Sequence, residues 1–345
     1  MGRRVYGVAV VLGLCAALVV AMLSPALVEA QKKEILFSVG DPFYPERTEY
    51  LGITTYMNTL LGRIQTHPVL KDRYTLKAMD KGTLFSNQDE ALGAISAGTL
   101  HFTYSGPHFL EALYPAWKLL EAPGVINDWA HFLRVMDTPA WKELQEKMVK
   151  EKGVTILKWA FDTGSWFIFT SKGPINRVED FKGQKIRYPG GTAFSKALAG
   201  LGTTGVAVPY TEVVTGLQTK MFDGVLTDFP GCVAAYELPR YTKYAVLIPV
   251  AIQPICIVVN TKWWESLAPD VRDALNAPFE RIEMESFFRK TEQAFIKGWA
   301  DNPNLALCQP KKEEVVRAQK IMKDAIQEVI SSVDAKYIQA IDSVR

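Results

Sequence analysis

Residues 174–202 read PINRVEDFKGQKIRYPGGTAFSKALAGLG, and this stretch decides the fold class. Lys185-Ile186-Arg187 is a short strand that ends on an arginine. Pro189, Gly190 and Gly191 break it into a turn, and Thr192 stands as N-cap of a helix starting at Ala193. Strand, tight turn and helix in this order predict a parallel α/β unit. In open α/β sheets ligands bind beyond the carboxyl ends of the strands, where Arg187 falls. A guanidinium fork holds a carboxylate by two parallel hydrogen bonds, and a helix N-terminus adds unsatisfied N–H donors. Pairing of Arg187 with a structural carboxylate, Glu179 or Asp180, is the competing reading, and spacing alone does not choose.

The same rhythm extends outward on both sides. Toward the N-terminus, strands are predicted at Glu34–Val39, Tyr74–Ala78 and Leu100–Tyr104, with helices at Thr48–Leu61 and Asn87–Ala97. Thr138–Lys152 is an amphipathic helix stopped by Gly153, followed by strands at Val154–Ala160 and Trp166–Thr170. Beyond the opening stretch come a helix at Thr211–Lys220 and strands at Val246–Pro249 and Ile255–Asn260. After Pro269 the pattern is helical to the end, with breaks near Asn302–Asn304 and Pro310. Two α/β lobes and a helical C-terminal section are therefore expected.

Composition agrees with a folded chain. Of 345 residues 48% are hydrophobic and 22% charged, and the net charge is +2. That balance gives no electrostatic footprint for nucleic acid. The one long uncharged apolar run, Val5–Ser24, follows Arg3 and Arg4 and leads to Val28-Glu29-Ala30. A positive start, an apolar stretch and a small-x-small end describe an export signal cleaved after Ala30. An uncleaved anchor helix is the alternative, since the run is near spanning length. Lipidation at Cys15 is rejected because Leu14 before it is not small. Cleavage leaves 315 residues, lowers the net charge to +1 and leaves Cys232, Cys256 and Cys308. A Cys232–Cys256 bridge and three buried thiols both fit that odd count.

Common catalytic signatures are absent. The four histidines His67, His101, His108 and His131 form no HxH or HExxH pair. There is no GxSxG elbow, phosphate loop, GxGxxG or CxxC. Their absence removes the common nucleophile, metal and nucleotide mechanisms but does not by itself exclude an enzyme. The expectation is a binding protein, not an enzyme, with no cofactor. The alternatives are a receptor of an ATP-driven importer and a secreted carboxylate-processing enzyme using Asp228 as base.

Several ordered blocks together resemble a known family. They are SKGPINRVEDFKGQKIRYPGG, Pro209-Tyr210-Thr211-Glu212-Val213, Gly216-Leu217-Gln218 and Asp223-Gly224. SNQDEALGAISAGTLHFT at 86–103, Leu120–Ile126 and NTKWWESLAPDVRDAL at 260–275 match more loosely. The chain resembles the periplasmic solute receptors of TRAP (tripartite ATP-independent periplasmic) transporters, of the dicarboxylate-receptor type. The resemblance implies an α/β, two-lobe periplasmic binding protein fold, with lobes joined by crossing strands and a long helix spanning both. It implies residues 31–162 plus 252–288 in lobe I and 163–251 plus 289–345 in lobe II. It also implies an organic acid as ligand, small and large TRAP membrane subunits as partners, a periplasmic location and cleft closure around the ligand.

Arg187 occupies the position whose arginine grips the ligand carboxylate in that family. Many members carry a second arginine just before the "PI" block, and here Phe167 stands there, beside Trp166. An aromatic at that place would pack on an apolar or aromatic ligand body, while alternation along a strand would turn one of the pair into core. Thr227, Asp228 and Phe229 are candidates for the cleft position after Asp223-Gly224. Asp228 would suit a ligand hydroxyl, an amine or a bound cation, or else be a solvated loop residue. No other metal ligand is expected. Phe43, Tyr44, Tyr104 and Ser105 are further candidates at strand ends, and Glu212 reads as helix N-terminal charge.

Overall fold

A computed structural model describes residues 32–38, 61–62, 64–78, 88–229, 237–280 and 284–345. The leader at 1–30, the helix expected at 48–61 apart from its last residue, Phe43, Tyr44 and Cys232 lie outside the described residues. Among the described residues no helix is long and apolar enough to cross a membrane.

The first sheet is built from β1 (Lys33–Ser38), β2 (Tyr74–Ala78), β3 (Phe102–Ser105), β4 (Val154–Ser165) and β10 (Ile252–Asn260), in the order β2-β1-β3-β10-β4. β1, β2 and β3 run parallel, and β10 lies antiparallel between β3 and β4. Alternation puts Ile35, Phe37, Ile255, Ile257 and Val259 on one face, packed against Leu267, Val271 and Leu275. Those three belong to α7 (Thr261–Ser266) and its exit and to α8 (Pro269–Glu280). Cys256 and Val258 face the other way, toward Ala91, Leu92 and Ile95 of α1 (Gln88–Ala97). A proline cannot donate to a ladder, and Pro254 sits where the β10–β4 register shifts.

The second sheet has the order β11-β9-β5-β8-β6-β7. Its strands are β5 (Phe167–Thr170), β6 (Lys185–Tyr188), β7 (Thr204–Ala207), β8 (Gly224–Thr227), β9 (Tyr244–Val246) and β11 (Ala306–Cys308). Ile168, Ile186, Leu226 and Val246 face α5 (Thr192–Gly200) and α10 (Lys312–Ala325). Phe167, Phe169, Val225 and Ala245 face α6 (Val213–Gln218) and Trp299 of α9 (Met284–Asp301). Helices cover both faces of each sheet, as a parallel-rich sheet requires.

Two strands join the lobes. β4 pairs with β10 from Val154 to Ser165, then passes through Trp166 into β5 of the other sheet. Trp166 and its neighbours on the return strand exchange backbone bonds, Trp166 N–H to the Ala251 carbonyl and Val250 N–H to the Trp166 carbonyl, both 2.9 Å. α9 packs on β4 and on β11 and so touches both sheets. The short helices α2 (Pro107–Leu110), α3 (Trp129–Met136) and α4 (Pro139–Lys152) follow β3, and α11 (Gln327–Ser331) and α12 (Ala335–Asp342) close the chain.

Several local expectations are corrected. β4 runs to Ser165, beyond Ala160, because Thr163 Oγ1 and Asp162 Oδ1 hold the return strand at Gln253. The strand expected at Val246–Pro249 lies at Tyr244–Val246 instead, since its partners are Ile168–Thr170 and Ala306–Cys308. Strands β7, β8 and β11 were not expected. A Cys232–Cys256 bridge is not formed: Cys256 is a free buried thiol that donates to the Ser105 carbonyl at 3.3 Å, and burial pushes its ionisation up. Cys308 is also free and buried.

Candidate functional site

Arg187 is the third residue of β6, in register with Val225 of β8 and Val206 of β7. Val225 is itself in register with Phe169 of β5. This row shares one face of the second sheet, opposite the face that carries Ile186. The arginine is fully buried. Its Nε donates to the Val208 carbonyl at 2.8 Å, and its guanidinium carbon lies 5.5 Å from the Tyr210 ring centroid. Neither terminal nitrogen, Nη1 or Nη2, has a hydrogen-bond partner among the described residues. A buried charge without partners is strongly destabilising, so the arrangement calls for an anion.

The structural carboxylates that compete for this role are engaged elsewhere. Glu179 pairs with Arg317 on α10, which holds its carboxyl below the usual range. Asp180 accepts from the amides of Asn176 and Arg177 at 2.9 Å each. Among the described residues Arg187 is left with one carbonyl and one aromatic face.

One row closer to the end of β8, Phe167 is in register with Thr227, and both are buried. Alternation therefore places Phe167 and Thr227 on the face of Arg187. The Phe167 ring meets Phe229 edge-on at 5.4 Å. Phe229 is fully buried against Phe169 and Trp299, so its ring is spent on the lobe's core. Asp228, between them, is buried rather than solvated.

Trp166 points to the opposite face. It stacks on Phe194 of α5 at 5.2 Å and 5°, and its indole N–H donates to Gln253 Oε1 at 2.6 Å. Ser105 is buried at the end of β3 in the first sheet, where its hydroxyl donates to the Gly106 carbonyl at 3.3 Å. Tyr104 packs with Phe102 and Ile257 in that lobe's core, and its carbonyl accepts the Gln88 amide. Glu212 stands at the start of α6 with no side-chain cap bond. Phe43 and Tyr44 cannot be placed among these groups, because they lie outside the described residues.

The start of α5 corrects an expectation. Its N-cap is Gly191, with φ +90, and Thr192 is already the first helical residue. A glycine brings no side chain to the cap. The Thr192 amide instead donates to Glu111 Oε1 and Oε2 at 3.2 and 3.3 Å, 81 residues away, in the segment that follows β3 of the first sheet and α2. The Thr192 hydroxyl donates to the same carboxylate at 3.4 Å. Burial holds the Glu111 carboxyl above its ordinary value, opposed mainly by the Thr192 amide.

Beneath this contact His108 is pinned to Glu121. Its Nδ1 and its amide lie 2.7 and 2.8 Å from Glu121 Oε2, and both side chains are buried. A Cβ on Gly191 would stand 3.1 Å from His108 Cβ, closer than side chains normally approach, and its φ of +90 lies in the region that favours glycine. Burial also raises the carboxyl of Asp89, against the pull of His108. Local sequence gave no signal for these side chains, because their partners lie far along the chain.

Among the described residues no group of three or more His, Cys, Asp or Glu is placed to hold a metal, and Asp228 belongs to no such group. An open groove of about 530 Å³ lies elsewhere, between Pro123, Asn127, Ser165, Val250, Val316 and Lys323. It follows the crossing strands and does not include Arg187.

Comparison with known proteins adds to this geometry. The profile described as bacterial extracellular solute-binding protein, family 7, matches residues 66–332. A 2,3-diketo-L-gulonate-binding periplasmic protein of Escherichia coli is 26% identical over 59% of this chain and 61% of its own length. The chain thus spans about three fifths of that relative. A C4-dicarboxylate-binding periplasmic protein of Rhodobacter capsulatus is 22% identical over 79% of this chain and 83% of its own. A TRAP periplasmic solute-binding protein of Shewanella oneidensis, solved with succinate, superposes with TM-score 0.78 at 19% identity, covering 91% of this chain and 99% of that one. The sugar acid-binding protein of Advenella mimigardefordensis, solved with galactonate, gives 0.76 at 18%, covering 91% and 98%. At such identities these two structures show the two-lobe fold.

Proposed function

Since the chain belongs to family 7 of the bacterial extracellular solute-binding proteins, we propose that it is the periplasmic receptor of a TRAP transporter for a small organic acid. It binds the acid between its lobes and hands it to small and large integral membrane subunits for uptake driven by an ion gradient. Residues 1–30 are a cleaved export signal. Lobe I comprises 31–162 and 252–288, and lobe II 163–251 and 289–345.

The observation that carries this reading is the pair of terminal nitrogens on fully buried Arg187 that have no partner among the described residues. A carboxylate there completes a bidentate, charge-assisted pair in a dry site. Phe167 and Thr227 flank it on the same face, and Asp228 supplies an acceptor for a ligand hydroxyl. Phe167 in the place of a second arginine favours an acid with a single carboxylate. Ser105, at the end of β3 in the first sheet, and from sequence alone Phe43 and Tyr44, stay candidates for the lining. Trp166 faces away from Arg187 and belongs to the packing around Phe194, and Phe229 supports Phe167 from the core.

The test is calorimetric titration of the mature protein with a panel of mono- and dicarboxylates that includes succinate, galactonate and glucuronate. Saturable binding is expected for at least one acid, which is recovered chemically unchanged. Arg187→Ala should weaken that binding by about 100-fold or more, in line with roughly 3 kcal/mol for truncating one side of a buried charge pair. Unchanged affinity in the variant would remove Arg187 from the site. Conversion of the acid at catalytic protein concentration would make the protein an enzyme.

A further inference from the structure

We propose that Glu111 is an interlobe clasp, a lobe I carboxylate that caps the first helix after the ligand-binding strand of lobe II and thereby holds the two lobes together. The first amides of a helix have no partner within it. α5 cannot supply one, because its N-cap is Gly191 and no side chain caps it from within. Glu111 fills the gap from the opposite lobe, with both carboxylate oxygens on the Thr192 amide and one on its hydroxyl. A negative charge at that end also suits the helix dipole.

A second contact makes the grip two-pointed. The bare α-carbon of Gly191 rests on His108, and His108 is locked by Glu121 through both its ring and its amide. The same ring lies 5.9 Å from Trp166 and 6.0 Å from Phe194, on the lobe II side. Lobe I thus holds the Pro189–Thr192 turn that begins two residues after Arg187. Parting the lobes along this edge uncaps α5 and strips His108 of its cover. The clasp biases the population toward the closed arrangement, as any contact made in one state alone must.

Two substitutions cut the same bond from opposite ends. Glu111→Ala removes the acceptor. Thr192→Pro removes the donor, and proline is a favoured first helical residue, so α5 keeps its start. Small-angle scattering of the mature protein reads the interlobe opening, and hydrogen exchange of the peptide spanning 189–195 reads the Thr192 amide. Each variant should shift the radius of gyration upward, and Glu111→Ala should also remove protection at Thr192. The double variant should open no further than either single one, because both delete one interaction. Scattering identical to wild type in both variants would overturn the clasp, and so would additive opening in the double variant. A cooperative melt checks that each variant is folded. If Glu111→Ala fails that check, Thr192→Pro, which alters nothing in lobe I, carries the test alone. The inference rests on the two-lobe fold and not on the ligand, so its failure would leave the Arg187 titration untouched.

Discussion

At the scale of single residues, Arg187 carries a cost in stability that the proposed carboxylate ligand would offset. Its charge is removed from water, yet among the described residues it gains one carbonyl and one aromatic face. Replacing buried charged groups by apolar side chains of similar length is often neutral or stabilising, by about 1–4 kcal/mol. Arg187→Met is therefore expected to melt at or above the wild-type temperature without added acid, while losing carboxylate binding. A variant that melts well below wild type would show that Arg187 holds the fold together rather than waiting for an anion. Arg187→Ala shares the binding loss but adds a cavity, so methionine is the cleaner probe of stability.

Glu111 gives a second prediction at this scale, in pH. Burial raises its folded-state value above the ordinary one, outweighing the Thr192 amide, Lys118 and His108. A carboxyl raised on folding contributes stability that is full below its unfolded value and is lost as pH rises through its folded value. Wild type should lose stability relative to Glu111→Gln as pH climbs from the normal carboxylate range through that raised value. Urea midpoints at a series of pH values measure the difference, and two parallel profiles would refute it. These two residues also differ in how far the sequence reveals them. Arg187 was legible because a strand end, a turn and a helix surround it locally. Its freedom from Glu179 and Asp180 was not, since Arg317 and two backbone amides settle that competition from elsewhere. Glu111 meets Thr192 across 81 residues, a distance no local pattern bridges.

At the scale of elements, long periodic segments were readable and short buried ones were not. α4 has an amphipathic face and ends on Gly153 at φ +64, which the sequence announces. β8 is four residues, all buried, beginning with glycine, so it shows neither alternation nor a boundary signal. That glycine matters to the sheet. A Cβ on Gly224 would fall 2.3 Å from the Phe169 carbonyl oxygen, a backbone atom that cannot step aside. Gly224→Ala should pry β8 from β5 and destabilise the protein by roughly 1–3 kcal/mol, as overpacking does. Thermal or urea unfolding would show it, and a loss below about 0.5 kcal/mol, the range of an ordinary surface change, would mean the pairing can yield. The N-cap of α5 teaches the converse. Thr192 has the chemistry of a cap, but Gly191 takes the position, where the backbone adopts φ +90 close against His108.

At the scale of the whole molecule, the two lobes were expected from the alternation of strands and helices, and the crossing pair β4–β10 is what ties them. That pair also orders events during synthesis. β10 lies inside the first sheet, between β3 and β4, where Cys256 faces Ser105 across 151 residues of chain. Until β10 leaves the ribosome, β3 and β4 have no strand between them, and the first sheet waits on nearly all of the second. Contacts of such long separation form slowly. A nascent chain built this way cannot complete its first sheet until most of the second has been made.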